Sequence, residues 1–145
     1  MFFSIGQLAR HAGVKVPTIR YYEARGLIDA PLRSAGNQRR YGQADLERLR
    51  FIRHARDLGF SLGAISGLIE LQDHPDRSCE TATRIAQDQL EAVRQKIGRL
   101  RALEAELERI TAGCTGAGIS RECYVLASLA DHDLCDHDHA PVDGV

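Results

Sequence analysis

The sequence predicts an all-α protein with a small β-hairpin wing: a winged helix-turn-helix followed by a long antiparallel dimerisation helix. Two short helical patterns flank a glycine turn near the amino terminus, which is the shape of a helix-turn-helix. Residues 27–42, which contain Pro, Gly, Asn and Arg, then interrupt the helical pattern. Along residues 80–112, apolar residues recur at three- and four-residue steps, as in a helix that packs against a partner helix.

The first two helices form the predicted helix-turn-helix. Ser4 and Gln7 have the spacing of a capping box, so the first helix is expected to begin there. Gly13 permits a tight turn, and a second helix is expected from Val16 to Arg25. In this helix Ile19 is expected to face the core, with Thr18, Arg20 and Tyr22 on the other side.

The hairpin and two further helices complete the amino-terminal half. Residues 27–42 are predicted to form a small hairpin with a polar tip. A third helix is predicted over residues 43–58, with Gly59 as its stop, and a fourth begins at Ser61. His74, Pro75 and Asp76 then break the chain.

The long helix is predicted over residues 80–112, with Ser78 as its N-cap and Gly113 at its end. So little chain remains to cover this helix that its apolar seam is expected to form a homodimer. A short helix is expected from Tyr124 to Leu129. The seam contains Leu90, Val93, Ile97, Leu100, Leu103, Leu107 and Ile110.

Charge is distributed unevenly along the chain. Residues 1–60 carry eleven Lys/Arg and five Asp/Glu, a net charge of +6, whereas residues 61–145 have a net charge of −7. A basic amino-terminal half on a nearly neutral protein indicates a polyanionic partner. The side chains expected to contact double-stranded DNA are Thr18, Arg20, Tyr21, Tyr22, Asn37, Arg39, Arg40 and Tyr41.

The expected compartment is the cytoplasm, without membrane attachment. No apolar run approaches the roughly 18 residues of a membrane span, and the amino terminus lacks the pattern of a signal peptide. Because thiols stay reduced in the cytoplasm, the four cysteines indicate metal or redox chemistry rather than disulfides.

Three cysteines lie at the two ends of the long helix. Cys79 and Cys114 are 35 residues apart on one heptad stripe, a separation of roughly 50 Å along a helix. If two such helices pack antiparallel, Cys79 of one chain meets Cys114 of the other. Cys123 follows nine residues later, close enough to fold back. This arrangement predicts a three-thiolate metal site that is shared between two subunits.

The number of sulfurs determines which metals fit. The loop from Cys114 to Cys123 has no His, Asp or further Cys between its ends, so it supplies two. Two sulfurs alone suit linear Cu(I), whereas three, or four with an added ligand, suit Zn(II), Cd(II), Pb(II) or Hg(II). The tail residues Cys135, His137 and His139 form a short Cys/His tract, which is either an auxiliary metal site or a solvated tail.

Three motifs resemble the MerR family of transcriptional regulators. They are TIRYYEARGL at residues 18–27, R-S-x-G-N-x-R-x-Y at residues 33–41 and ADLERLRFIRHARDLGFSL at residues 44–62, and the resemblance extends over residues 3–125. It implies DNA contacts from Arg20, Tyr22, Arg39 and Tyr41. It also implies that an effector-bound dimer distorts a promoter with an overlong spacer so that RNA polymerase can use it.

The resemblance also bears on the metal. Divalent-ion sensors of the family have Cys at the position of Cys79, whereas monovalent copper and gold sensors have Ser there. The sequence therefore predicts an activator of metal efflux or resistance genes that responds to a thiophilic divalent ion. One alternative is a Cu(I)-type monovalent sensor of the same family. Another, of a different class, is a non-regulatory metal-storage or metal-binding protein.

Other classes fit the sequence less well. The cysteines are not clustered in one short segment, as an iron–sulfur sensor requires, and no C-x₂-C pair indicates a structural zinc module. No H-E-x-x-H or paired-carboxylate arrangement indicates an enzyme. The expected segments are a DNA-binding domain (1–75), a dimerisation helix (76–112), a metal-binding loop with a short helix (113–130) and a flexible Cys/His/Asp tail (131–145).

Overall fold

The computed structural model describes residues 1–36, 38–114 and 116–134, without the side chain of Arg39. It confirms the predicted fold class, a mostly helical chain with a small hairpin and a long carboxy-terminal helix. Two compact units, one ending at Ala86 and the other starting at Gln87, meet within that helix. The α-helices are α1 (Ile5–Ala12), α2 (Val16–Ala24), α3 (Gln43–Asp57), α4 (Leu62–Gln72), α5 (Glu80–Ala112) and α6 (Tyr124–Ala130).

Helices α1 and α2 begin where the sequence predicts. The Ser4 hydroxyl accepts a hydrogen bond from the Gln7 N–H at 3.3 Å, and the Gln7 side chain accepts one from the Ser4 N–H at 2.9 Å. This capping box satisfies two N–H groups that the first turn leaves without helical partners. Gly13 ends α1 with a φ of 67°, a conformation that other residues adopt only with strain.

The wing is a two-stranded antiparallel hairpin of β1 (Leu32–Arg33) and β2 (Arg39–Arg40). Leu32 pairs with Arg40, and Arg33 pairs with Arg39. Just beyond β2, Tyr41 exchanges backbone hydrogen bonds with Phe3 at 2.7 and 2.9 Å. The root of the wing is therefore attached to the chain segment that leads into α1.

One hydrophobic core holds the first unit together. Helix α3 packs against α1 and α4, and Gly59 (φ 86°) provides the turn between α3 and α4. The Ser61 hydroxyl caps α4 by accepting a hydrogen bond from the Ala64 N–H at 3.1 Å. The fully enclosed side chains of this core are Leu8, Ile19, Tyr41, Leu49, Ile52 and Ile65.

The N-cap of α5 is Cys79, not Ser78 as predicted. The Cys79 carbonyl accepts the first helical hydrogen bond, from the Thr83 N–H at 2.9 Å, which is the mark of an N-cap residue. The Ser78 hydroxyl still contributes, because it accepts a hydrogen bond from the Glu80 N–H at 3.2 Å. The sequence pattern placed the cap one residue too early because serine is the commoner capping residue.

The apolar stripe of α5 is largely uncovered within its own unit. Five of its side chains are 37% to 58% exposed. Two other residues near the end of the helix, Glu106 and Ile110, are buried. The exposed members of the stripe are Leu90, Val93, Ile97, Leu100 and Leu107.

Among the residues that the structure describes, no helix is both long enough and apolar enough to cross a lipid bilayer.

Candidate DNA-binding surface and metal site

Helix α2 presents a polar, basic face. Ile19 is fully buried, as predicted, whereas Arg20 is exposed and the Tyr21 ring is 47% exposed. The Arg25 Nε donates a hydrogen bond to the Tyr21 hydroxyl at 3.1 Å, and its guanidinium lies 5.3 Å from the centre of the Tyr21 ring. Arginine, tyrosine and threonine side chains on one helix are the groups that contact phosphates and base edges.

The structure corrects the expected exposure of Tyr22, and it buries Tyr41 as well. Tyr22 is only 8% exposed and Tyr41 is fully buried, so both belong to the core rather than to the exposed surface. Tyr22 follows Ile19 by three residues, and positions three apart share a helix face. The Tyr41 hydroxyl donates a hydrogen bond to the Glu23 carboxylate, which connects the root of the wing to α2.

The wing adds further basic groups. Arg40 of β2 is exposed, and so is Arg33 of β1. Asn37 and the Arg39 side chain, both predicted to contact DNA, lie outside the described residues. The sequence analysis missed Arg25 and Arg33, although a basic residue at the end of α2 and another in the first wing strand are a readable signal for phosphate contacts.

The structure brings two of the predicted metal ligands together. The Sγ atoms of Cys114 and Cys123 lie 3.9 Å apart, and both cysteines are reduced and half-buried. Gly116 (φ 78°) and Gly118 (φ 117°) give the intervening loop its sharp reversal. The loop encloses a shallow pocket of about 210 Å³ next to the two thiols.

The Cys123 thiol lies in surroundings that favour its thiolate. It precedes α6 as the N-cap residue, and a hydrogen bond from the Leu126 N–H lowers its pKa below the ordinary cysteine value. Partial burial opposes this effect, while the Val125 N–H and the Cys114 thiol lower the pKa further. The thiolate is the form of cysteine that binds metals.

Cys79 is exposed and lies in the first unit, at the start of α5. Within residues 1–36, 38–114 and 116–134, no group of three or more Cys, His, Asp or Glu side chains is arranged to hold a metal ion. One chain therefore supplies a pair of sulfurs and a separate third one. The predicted tail ligands Cys135, His137 and His139 lie outside the described residues.

A polar cluster beside the thiol pair was not predicted. Glu106 and Arg109 of α5 form a buried ion pair, and Arg109 also donates a hydrogen bond to the Tyr124 hydroxyl. The Arg109 guanidinium lies 5.6 Å from the centre of the Tyr124 ring. In the sequence, a Glu and an Arg three residues apart on a helix are typical of an exposed ion pair. The only sequence feature that indicated this cluster was the aromatic residue Tyr124 directly after Cys123.

Together, the helix-turn-helix and the basic wing are the features of a DNA-binding transcriptional regulator. Residues 3–72 match the MerR HTH family regulatory protein model, and residues 46–110 match the model described as MerR, DNA binding. The chain belongs to the MerR family, and its relatives place it in the metal-responsive branch of that family.

Three relatives illustrate this similarity. The mercuric resistance operon regulatory protein of Pseudomonas fluorescens is 40% identical over 126 residues, 87% of this chain and 86% of the relative. The HTH-type transcriptional regulator ZntR of Escherichia coli K12 is 39% identical over 129 residues, 88% of this chain and 92% of the relative. The transcription regulator PbrR691 of Ralstonia metallidurans CH34, solved in complex with lead(II), has a TM-score of 0.76 and 41% identity, covering 86% of this chain and 97% of that one.

Proposed function

We propose that this protein is a homodimeric, cytoplasmic regulator that activates metal efflux or resistance genes when it binds a thiophilic divalent ion: Zn(II), Cd(II), Pb(II) or Hg(II). The observation that carries the proposal is the Cys114–Cys123 pair, whose sulfurs lie 3.9 Å apart in a pocket beside a long helix. Relatives that are a mercuric resistance regulator and a lead(II)-bound regulator support it.

The sulfur separation favours a bent over a linear arrangement. Two sulfurs bound about 2.3 Å from a tetrahedral zinc ion lie about 3.8 Å apart, whereas sulfurs on opposite sides of an ion at that bond length would lie about 4.6 Å apart. The 3.9 Å between Cys114 and Cys123 matches one edge of a three- or four-ligand site. A linear Cu(I) site, the alternative within the family, would require the pair to open.

The third sulfur is supplied by the partner subunit's Cys79. Cys79 and Cys114 flank α5 at positions that continue the heptad spacing of Val93, Leu100 and Leu107. These three apolar side chains are exposed, and an antiparallel partner helix would cover them. Cys79 itself is exposed and reduced, so its sulfur is accessible to an ion held by the other chain. An auxiliary contribution from Cys135, His137 or His139 would complete a four-ligand site.

The DNA-binding side of the proposal rests on the exposed side chains of Arg20, Tyr21 and Arg40 and on the half-buried Thr18. The sequence adds Asn37 and Arg39 to this set. Two such lobes in a dimer contact the promoter. Metal binds one conformer of the dimer more tightly than the other, and that conformer re-bends the DNA at a cost of a few kcal/mol. RNA polymerase then uses the distorted promoter.

The decisive experiment is an anaerobic titration of the reduced full-length dimer with Zn(II), Cd(II), Pb(II), Hg(II) and Cu(I), in the wild type and in Cys79→Ser. Ser78→Ala, which changes the neighbouring residue without removing a sulfur, is the matched control. Tight divalent binding that is lost only in Cys79→Ser would support the three-thiolate site.

The other outcomes separate the alternatives. Tight Cu(I) binding that is indifferent to Cys79→Ser would mean a two-sulfur monovalent sensor. Metal binding by a protein that retains no affinity for promoter DNA would favour the non-regulatory metal-binding protein. Cys135→Ser with unchanged affinity would exclude the tail cysteine from the site.

A further inference from the structure

We infer that Tyr124, held in place by Arg109 and Glu106, is a positioning residue that sets the separation of Cys114 and Cys123 before metal arrives. This inference rests on the proposed function, because it concerns the same pair of thiols. In this inference, Tyr124, Arg109 and Glu106 do not contact the metal, but they raise the metal affinity of the loop between Cys114 and Cys123.

The Tyr124 ring joins the two ends of the metal-binding loop. Its backbone directly follows Cys123, and its ring contacts Gly113, the residue before Cys114. A Cβ atom built on Gly113 would lie 2.1 Å from Tyr124 Cδ1 and 2.5 Å from Cε1. The ring therefore occupies the space that any side chain at residue 113 would need. The backbone of Gly113 is not in the left-handed region, so its conformation does not itself require glycine.

The far end of the ring is fixed to α5. Arg109 donates a hydrogen bond to the Tyr124 hydroxyl, and its guanidinium also contacts the ring face, 5.6 Å from the centroid. Glu106 orients that guanidinium through its ion pair and a hydrogen bond from Nε at 3.0 Å. Both side chains are mostly buried, with 16% of Arg109 and 5% of Glu106 exposed, so the contacts are shielded from competing water.

Such anchoring changes metal affinity because loop ordering is a cost of binding. A loop whose two thiols are already held at 3.9 Å loses little conformational freedom when it captures an ion. Residues that support ligands without touching the metal commonly alter affinity by roughly tenfold to a hundredfold. Loosening Tyr124 would let the Cys123 end of the loop move away from Cys114.

The test measures Cd(II) affinity of the reduced full-length protein by chelator competition, together with the ultraviolet charge-transfer band of cadmium thiolate. Tyr124→Ala and Gly113→Ala are each expected to weaken Cd(II) binding roughly tenfold to a hundredfold. The double variant should be no weaker than Tyr124→Ala, because the added methyl group no longer meets a ring. Such non-additivity identifies the contact itself.

The anchoring arm is tested separately. Arg109→Lys keeps the charge but cannot reproduce the forked contacts to Glu106 and Tyr124, so it should also weaken Cd(II) binding. Arg101→Ala, at an exposed position on the same helix, should leave affinity and band intensity unchanged. Tyr124→Phe keeps the ring against Gly113 and removes only the hydrogen bond from Arg109. It should therefore also weaken Cd(II) binding, and it serves as the test of the anchor if Tyr124→Ala fails to fold.

Three results would overturn the inference. The first is wild-type Cd(II) affinity in both Gly113→Ala and Tyr124→Ala. The second is a double variant whose loss of Cd(II) affinity equals the sum of the two single losses. The third is a cadmium-thiolate band that keeps its wild-type intensity when Cys114 and Cys123 are replaced. That result would contradict both the proposed metal site and this inference. The first two results would leave the metal site intact, so the two failures are distinguishable.

Discussion

The Tyr41 hydroxyl donates a hydrogen bond to the Glu23 carboxylate across eighteen positions of sequence. The ring of Tyr41 is fully buried, while its backbone pairs with Phe3. One residue thus connects the wing, the start of the chain and α2. The relative position of α2 and the wing, which determines how both meet DNA, depends on a core contact rather than on the exposed side chains themselves.

Tyr41→Phe removes that hydrogen bond and leaves the ring in place. Because the half-buried Glu23 carboxylate loses this hydrogen bond, the free energy of unfolding should fall by about 1–3 kcal/mol. Urea denaturation at fixed protein concentration measures this loss, since the stability of a dimer depends on concentration. Tyr21→Phe, on the exposed face of α2, is the control and should change stability by less than about 0.5 kcal/mol. Equal effects of the two substitutions would contradict the assignment.

Gly13→Ala should destabilise the first unit for two reasons. The residue has a φ of 67°, and a Cβ atom there would lie 2.0 Å from the Arg53 guanidinium. That guanidinium donates a hydrogen bond to the Ala12 carbonyl at 3.2 Å, so moving it removes a contact between α3 and the end of α1. A loss of about 1–3 kcal/mol is expected from left-handed strain alone.

The control for Gly13→Ala is Gly63→Ala. Gly63 lies in α4, where an added Cβ meets only the Ser61 hydroxyl at 4.0 Å. Alanine is favoured over glycine within a helix, so this variant should gain about 0.5–1 kcal/mol. Thermal unfolding of both variants at one concentration gives the comparison. A Gly13→Ala protein as stable as the wild type would contradict both the left-handed strain and the clash with Arg53.

Arg20→Ala should weaken promoter binding and flatten its salt dependence. Arg20 is exposed on α2 beside Thr18 and Tyr21, and each lost phosphate contact reduces the slope of log K against log salt by about 1. Fluorescence anisotropy over a salt series measures this slope. Arg101→Ala removes the same charge from the second unit and should leave the slope unchanged. An unaltered slope in Arg20→Ala would argue against a phosphate contact.

Much of the fold could be predicted because its signals are local. The capping box at Ser4, the glycine stops at Gly13 and Gly59, and the seam of α5 each depend on a few neighbouring residues. The burial of Tyr41 could not be predicted, because its partners Phe3 and Glu23 are distant in sequence and only the folded core brings them together.

The candidate site shows the same division. Cys114 and Cys123 are close in sequence and separated by glycines, so their approach was predictable. Glu106 is a polar residue on an amphipathic helix and is expected at the surface, yet it is buried by its contact with Arg109. The proposed approach of Cys79 to the thiol pair involves a second chain, and heptad spacing predicts such a meeting without specifying its geometry.

A mixed dimer tests whether the third sulfur comes from the other subunit. One chain carries Cys79→Ser and retains Cys114 and Cys123, and its partner carries Cys114→Ser and Cys123→Ser and retains Cys79. If the site is shared between subunits, this dimer keeps one complete three-thiolate site and lacks the other entirely. It should therefore bind one Cd(II) with wild-type affinity, as measured by titration of differently tagged, doubly purified heterodimers.

Each homodimer of these two chains serves as a control, because neither contains a complete three-thiolate site. If all three sulfurs came from one chain, the mixed dimer would have no complete site either, and its Cd(II) affinity would match that of the two homodimers.

The mixed dimer also separates metal binding from promoter activation. Promoter activation by a dimer with a single occupied site would mean that one ion suffices to shift the conformer that distorts the DNA, as expected if both DNA-binding lobes are attached to one antiparallel helix pair.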